Sequence, residues 1–224
     1  MHVCLFDIDG TLLNTGGAGQ AAMEAAMEAE FGITAPTEGI STAGRTDRAI
    51  VADLLEYHGI GRSGQILERF LAAYLLELPK SLQQSHGLIL PGIPALLTSL
   101  SRLDNVILGL LTGNFREGAR LKLEFYGLDH HFEFGGFGDS HLDRDDVARE
   151  ALDEAHNRVN GSITLEGVWV VGDTPADIQC GRAIGAHVVA VGTGLYSTAE
   201  LEAAEPDHLL SDLSDPATLL ELLQ

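Results

Sequence analysis

The chain predicts an α/β fold, a doubly wound parallel sheet with an all-helical unit inserted near its start. Three observations predict it. Continuous apolar runs at residues 3–6, 106–111, 168–171 and 187–191 have the length of strands buried on both faces. Helical patterns lie between the later runs, and strands alternating with helices imply parallel crossover units. Residues from about 15 to 86 carry helical periodicity alone, a break from the alternation that follows. The expected division is a sheet-bearing core of residues 1–14 and 87–224 and a helical insertion of residues 15–86.

The elements follow in order. The strand beginning at His2 ends in Asp7-Ile8-Asp9-Gly10-Thr11, and a glycine-rich link runs from Asn14 to Gly19. Met23, Met27 and Phe31 then recur every four residues, with Gly32 placed to cap the helix end. A second helix over 47–58 carries Ile50, Leu54 and Leu55 on one side, with Thr46 as its N-cap and Gly59 as its stop. Ile66, Phe70 and Tyr74 mark a third, expected to end before Pro79. After Gly87, Pro94 suits a helix start, and Leu96, Leu97, Leu100 and Leu103 give its buried side. The strand at 106–111 ends in Thr112-Gly113-Asn114, followed by a helix through Tyr126 and a short strand within 132–137. A helix over 143–156, a strand ending at Gly172-Asp173, a helix over 175–184 and strands at 187–191 and 208–210 precede a last helix from Pro216.

Composition bounds the function. The 224 residues suit one large domain or a core with an insert, and 45% hydrophobic with 21% charged residues is a globular balance. Thirteen basic against 33 acidic residues give a net charge of −20, which argues against nucleic acid and anionic membrane as partners. An anionic small substrate would need a local metal ion or basic side chains to overcome that repulsion. Two cysteines, Cys4 in a strand and Cys180 in a helix, give no disulfide framework and fit a reducing cytoplasm. With the first strand at His2, no leader is expected ahead of it, and no apolar run approaches a membrane span.

The chemistry collects where strands end. In a parallel sheet the carboxyl ends share one edge, so Asp7 and Asp9, Thr112-Gly113-Asn114 and Asp173 can converge from distant parts of the chain. Two carboxylates side by side are unfavourable unless a cation lies between them or one takes up a proton. Asp7, Asp9 and Asp173 would offer oxygen ligands to a hard cation, foremost Mg2+, and Asp177, one helical turn on, would hold the metal's waters or orient the site from behind.

Over its whole length the chain resembles the haloacid dehalogenase superfamily, on its phosphatase side. The resemblance rests on Phe6-Asp7-Ile8-Asp9-Gly10-Thr11-Leu12, Leu111-Thr112-Gly113-Asn114 and Val171-Gly172-Asp173-Thr174-Pro175-Ala176-Asp177, in that order and each at a strand end. It implies a Rossmann-like core with a helical cap, as in phosphoglycolate phosphatases and β-phosphoglucomutases. Asp7 would be the nucleophile that takes the phosphoryl group, and Asp9 the general acid and base. Mg2+ would sit on the Asp7 carboxylate, the Asp9 backbone carbonyl and Asp173, so that Asp9 is no third carboxylate ligand. Thr112, with Gly10, Gly113 and Asn114, would hold the phosphoryl oxygens. The family's third motif is usually a lysine, and here the pattern departs: Arg144 in Asp143-Arg144-Asp145 takes that place, with Lys122 as the competing candidate. Within the insertion, Gly44-Arg45-Thr46-Asp47-Arg48 offers Arg45 as a substrate contact, set against a solvated arginine beside a helix cap.

The expected activity is hydrolysis of a small anionic phosphorylated metabolite, such as phosphoglycolate or a sugar phosphate. Dehalogenation is disfavoured by Asp9, and phosphonate cleavage by the late position of the insertion's single lysine, Lys80. A phosphomutase shares the same residues. A phosphoacceptor signalling module and an idle binding protein are weighed against the intact set of Asp7, Asp9, Thr112 and Asp173.

Overall fold

The structure is a computed structural model that describes residues 1–35, 39–159 and 163–223. In chain order its strands are β1 (His2–Phe6), β2 (Leu13–Asn14), β3 (Leu88–Ile89), β4 (Val106–Leu111), β5 (Gly135–Gly136), β6 (Val168–Gly172), β7 (His187–Val191) and β8 (His208–Leu210). Six of them form one parallel sheet in the order β5-β4-β1-β6-β7-β8. Successive strands build outward to either side of β1, so the order reverses there and a crevice opens at its carboxyl end.

The side-chain period of two divides β1 between two cores. Cys4 and Phe6 pack with Leu96, Leu97 and Leu100 of α4 (Ile93–Leu100) and with Leu219 of the last helix. Val3 and Leu5 pack with Val147, Ala148, Ala151 and Ala155 of the helix after β5, and with Cys180. Each large side chain buried here contributes about 1.5–3 kcal/mol, and both faces of the sheet are covered as a parallel sheet requires.

Three helices, α1 (Ala18–Phe31), α2 (Asp47–Tyr57) and α3 (Gly64–Gln84), lie between β2 and β3 and bury their own cluster of Met23, Met27, Leu54, Phe70, Tyr74 and Leu78. The chain enters and leaves this unit through one narrow neck, where β2 and β3 pair antiparallel, Leu13 with Ile89 and Asn14 with Leu88. Gly16 and Gly17 take positive φ there, 63° and 85°, which glycine adopts without steric cost. Thr46 caps α2 by accepting from the Ala49 N–H, and Gly32 closes α1 at φ 68°.

Four expectations need correcting. Helix α3 runs through Pro79 to Gln84, because Ser81 and Leu82 beyond the break are buried. Helix α1 starts at Ala18, inside the expected link. Helix α4 ends at Leu100, so Leu103 falls outside it and is 37% exposed. The strand expected within 132–137 contracts to Gly135–Gly136, whose glycines admit the Leu110 backbone and the Val147 carbonyl at close range.

Candidate active site

The sheet itself places Asp7. Its N–H donates to the Val171 carbonyl at 3.0 Å, extending the β1–β6 ladder by one residue. The chain then leaves the strand: Leu12 and Leu13 donate to the Ile8 carbonyl, Gly10 donates to the Leu13 carbonyl, and Gly10 takes φ 90°. A Cβ on Gly10 would overlap the Asp173 carboxylate, so glycine is what lets that carboxylate approach.

Because β1 ends at Phe6, Asp7 and Asp9 are not on one extended face, and each meets a different cation. Arg144 starts α6 (Arg144–Arg158), and its guanidinium lies 2.9 Å from Asp7 Oδ1 while also bonding Asp177 Oδ1. Lys122 projects from α5 (Arg116–Phe125), and its Nζ donates to Asp9 Oδ2 at 2.6 Å and to Asn114 Oδ1 at 2.5 Å. Asn114 Nδ2 donates to the same Asp9 oxygen at 2.9 Å and to Thr112 Oγ1 at 2.8 Å. The two candidates for the third motif are thus both at the site, Arg144 on Asp7 and Lys122 on Asp9. No local pattern marked Lys122, since its partner lies 113 residues away in the chain.

Asp7, Asp173 and Asp177 are buried, with carboxylate oxygens within 4.8 Å of one another. Burial pushes the Asp7 carboxyl up; Arg144 opposes it, and Asp177 and Asp9 add to it. Asp173 rises for the same reason, desolvation first and then Asp177 and Asp7, against the Thr11 hydroxyl, which donates at 3.1 Å, and Arg144. Asp177 is fixed behind them in a capping box with Thr174 at the start of α7 (Pro175–Ala183). Among the described residues this trio is the grouping suited to a metal ion, and its all-oxygen donors fit a hard divalent cation. The Asp9 carboxylate stands outside it, tied to Lys122 and Asn114.

A cavity of about 360 Å3 opens over these strand ends, walled by Asp7, Asp9 and Asp173 on the core side and by Arg45, Ile50 and Tyr74 on the insertion side. Gly10, Gly113 and Asn114 also line it. Thr112 is fully buried, and its hydroxyl oxygen accepts from the Asn114 N–H and side-chain amide. Arg45 lines the cavity while pairing with Asp53 at 2.6 Å, and Thr46 beside it is the N-cap of α2.

Two features escaped sequence reasoning. Thr193 and Gly194, just beyond β7, reach the site: Thr193 Oγ1 donates to the Gly10 carbonyl at 2.6 Å, and a Cβ on Gly194 would overlap Asp173. The strand-end rule, applied to β7 as well, would have found them. Asp47 is the other. Its N–H donates to the Gly113 carbonyl at 2.7 Å and its carboxylate accepts from the Phe115 N–H at 2.9 Å, docking α2 onto the start of α5. Burial raises its carboxyl to about 6, with Lys122 and the Phe115 bond opposing.

A buried carboxylate trio at the switch point of a parallel sheet, beneath a helical insertion, suits a phosphate-handling α/β enzyme. The model of the family of haloacid dehalogenase-like hydrolases matches residues 4–191, and the chain belongs to that family. Among curated proteins it is similar to the pyrophosphatase PpaX of Oceanobacillus iheyensis, 22% identical over 98% of this chain and 97% of the other. Among solved structures it is similar to CbbY from Rhodobacter sphaeroides in complex with phosphate (17% identity, 96% of each chain, TM-score 0.74). It is also similar to a putative β-phosphoglucomutase from Thermotoga maritima (21% identity, 100% of each chain, TM-score 0.66).

Proposed function

We propose that the chain is a divalent-metal-dependent phosphatase of a small phosphomonoester, working through an aspartyl-phosphate on Asp7. The observation that carries this is the pairing of two aspartates that flank Ile8 with two separate buried cations, Asp7 with Arg144 and Asp9 with Lys122, on the wall of one cavity. An Asp7 oxygen attacks phosphorus, and the bond to the leaving alcohol breaks as Asp9 donates a proton to it. Asp9, now a carboxylate, takes a proton from the water that attacks the aspartyl-phosphate, releasing phosphate and restoring Asp7. Arg144 balances charge on the phosphoryl oxygens, with a planar fork suited to them. Gly10, Thr112, Gly113 and Asn114 form the frame around the phosphoryl group.

The Asp7 and Asp173 carboxylates and the Asp9 backbone carbonyl would hold Mg2+, backed by Asp177, and the ion would supply charge neutralisation that this acidic chain otherwise lacks. Helices α1–α3 act as a cap that excludes water and contacts the substrate, with residues 15–86 as its extent and Gly16-Gly17 and His86-Gly87 as its hinges. The cavity size and Arg45 favour a phosphorylated small acid, phosphoglycolate among them, or a sugar phosphate. Relatives named as a pyrophosphatase and as a phosphate-bound structure support a phosphate substrate. Two buried free cysteines fit a reducing cytoplasm, the net charge of −20 counts against nucleic acid, and no helix among the described residues is long and apolar enough to cross a membrane.

The test is phosphate release from a panel of phosphorylated metabolites, with and without Mg2+, for wild type and Asp7→Asn. Metal-dependent release abolished in Asp7→Asn supports the hydrolase. Isomerised product with no free phosphate would move the reading to a phosphomutase, and phosphate retained on Asp7 without turnover to a phosphoacceptor module.

A further inference from the structure

The chemistry above needs Asp9 at one defined position, yet Asp9 is the more exposed of the two aspartates, its side chain 38% accessible against 7% for Asp7. Lys122 is the opposite, 5% accessible and placed where an unpaired ammonium would be costly. Its Nζ and the Asn114 amide both bind Asp9 Oδ2, and Asn114 is itself held at both ends, by Lys122 at its oxygen and by Thr112 at its nitrogen. Gly19 of α1 closes over the ammonium: a Cβ there would stand 3.4 Å from Nζ. Asp9 Oδ1 takes no side-chain or backbone hydrogen bond among the described residues, and Asp9 lines the cavity. One oxygen of the carboxylate is therefore clamped and the other is free.

We infer that Lys122, with Asn114, is a positioning residue for Asp9: it fixes Oδ2 so that Oδ1 is the oxygen that gives a proton to the leaving group and takes one from the attacking water. The inference rests on the proposed function and deepens it. It divides the cations by task, Arg144 serving Asp7 and the phosphoryl group, Lys122 serving Asp9. A purely structural Lys122–Asp9 pair would have no reason to discriminate between the two halves of the reaction. A positioning pair must, because the first half can be run on a leaving group that needs no proton, whereas attack of water on the aspartyl-phosphate needs a base whatever the substrate.

The experiment is rapid-quench kinetics on the full chain with Mg2+ and 4-nitrophenyl phosphate, comparing wild type, Lys122→Met, Lys122→Arg, Asp9→Asn and the double variant Lys122→Met/Asp9→Asn. Lys122→Met is expected to release close to one equivalent of nitrophenol in a burst, at a rate within about threefold of wild type. Its steady-state turnover is expected to fall on the order of 10²-fold, the scale of a general base lost. The burst amplitude also counts folded, competent sites. Lys122→Arg should recover turnover to within about tenfold, because it restores a charged donor to Asp9, and the double variant should be no slower than Asp9→Asn alone. Turnover of Lys122→Met equal to wild type, burst and turnover falling together, or a loss that adds in full to that of Asp9→Asn would each overturn the role. A wild type that releases no nitrophenol, or an Asp7→Asn control as active as wild type, would overturn the hydrolase reading and this inference with it. Wild-type turnover abolished by Asp7→Asn but untouched in Lys122→Met would overturn the inference alone.

Discussion

Arg144 and Asp7 meet at 2.9 Å with both side chains more than nine-tenths buried, and the same guanidinium holds Asp177. Removing one partner of a buried pair leaves the other charge uncompensated, at a cost of about 3–5 kcal/mol. Arg144→Met should therefore lower stability by about 3 kcal/mol, read as a shift of the urea midpoint, and Arg144→Lys should lose less while failing to hold both carboxylates. Asp7, Asp9 and Asp173 were legible in the sequence because they stand within three residues of the end of an apolar strand, and a parallel sheet brings such ends together. Lys122 was legible only as the competing candidate for the third motif, and its pairing with Asp9 was not; nor was Asp47, at a helix start, which only tertiary contacts distinguish from a solvated charge. Arg144 was legible from its place before the last aspartate motif, but its pairing with both Asp7 and Asp177 was not.

At the scale of elements, the docking of α2 onto the β4–α5 turn decides whether the site is enclosed. A Cβ on Gly113 would overlap the Arg45 carbonyl, and its nearest neighbours all belong to Arg45 and Thr46 at the start of α2. Gly113→Ala is expected to push the start of α2 away and reduce turnover on the order of 10²-fold, the cost of misplacing a group by about 1 Å. Small-angle scattering should show a larger radius of gyration with the unfolding midpoint nearly unchanged. Asp47 makes the same junction sensitive to pH. Its carboxyl is raised from 3.8 to about 6, so between those values the folded chain keeps a proton that the unfolded chain releases, and stability falls as pH rises. The span is worth about 3 kcal/mol as an upper bound. Asp47→Asn, which keeps an acceptor for the Phe115 N–H, should flatten the stability profile between about pH 4 and pH 6, measured by thermal unfolding. The helix boundaries show where sequence falls short: Pro79 suggested an end to α3, yet burial of Leu78 and Leu82 carries the helix through it at the loss of one backbone bond.

For the molecule as a whole, the alternation of strands and helices and the all-helical stretch were legible because both are periodic patterns, and the sheet order β5-β4-β1-β6-β7-β8 places the motifs at one switch point. The neck between core and insertion was harder to read, since β2 and β3 are two residues each and owe their pairing to register. The carboxylate trio makes this chain a poor host for its own negative charge without a cation. The raised Asp7 and Asp173 carboxyls lower stability as pH rises above their unfolded values near 4. Mg2+ should therefore raise the melting temperature more at pH 8 than at pH 5, and Asp173→Asn should shrink that gain. The central claim is that the phosphoryl group passes through Asp7. The most direct measurement is borohydride trapping during turnover, followed by mass spectrometry of the peptide that contains Asp7. The account predicts reduction of the Asp7 acyl-phosphate to homoserine in a substrate-dependent and Mg2+-dependent manner, and none in Asp7→Asn. Phosphate release at full rate with Asp7 unmodified would contradict it.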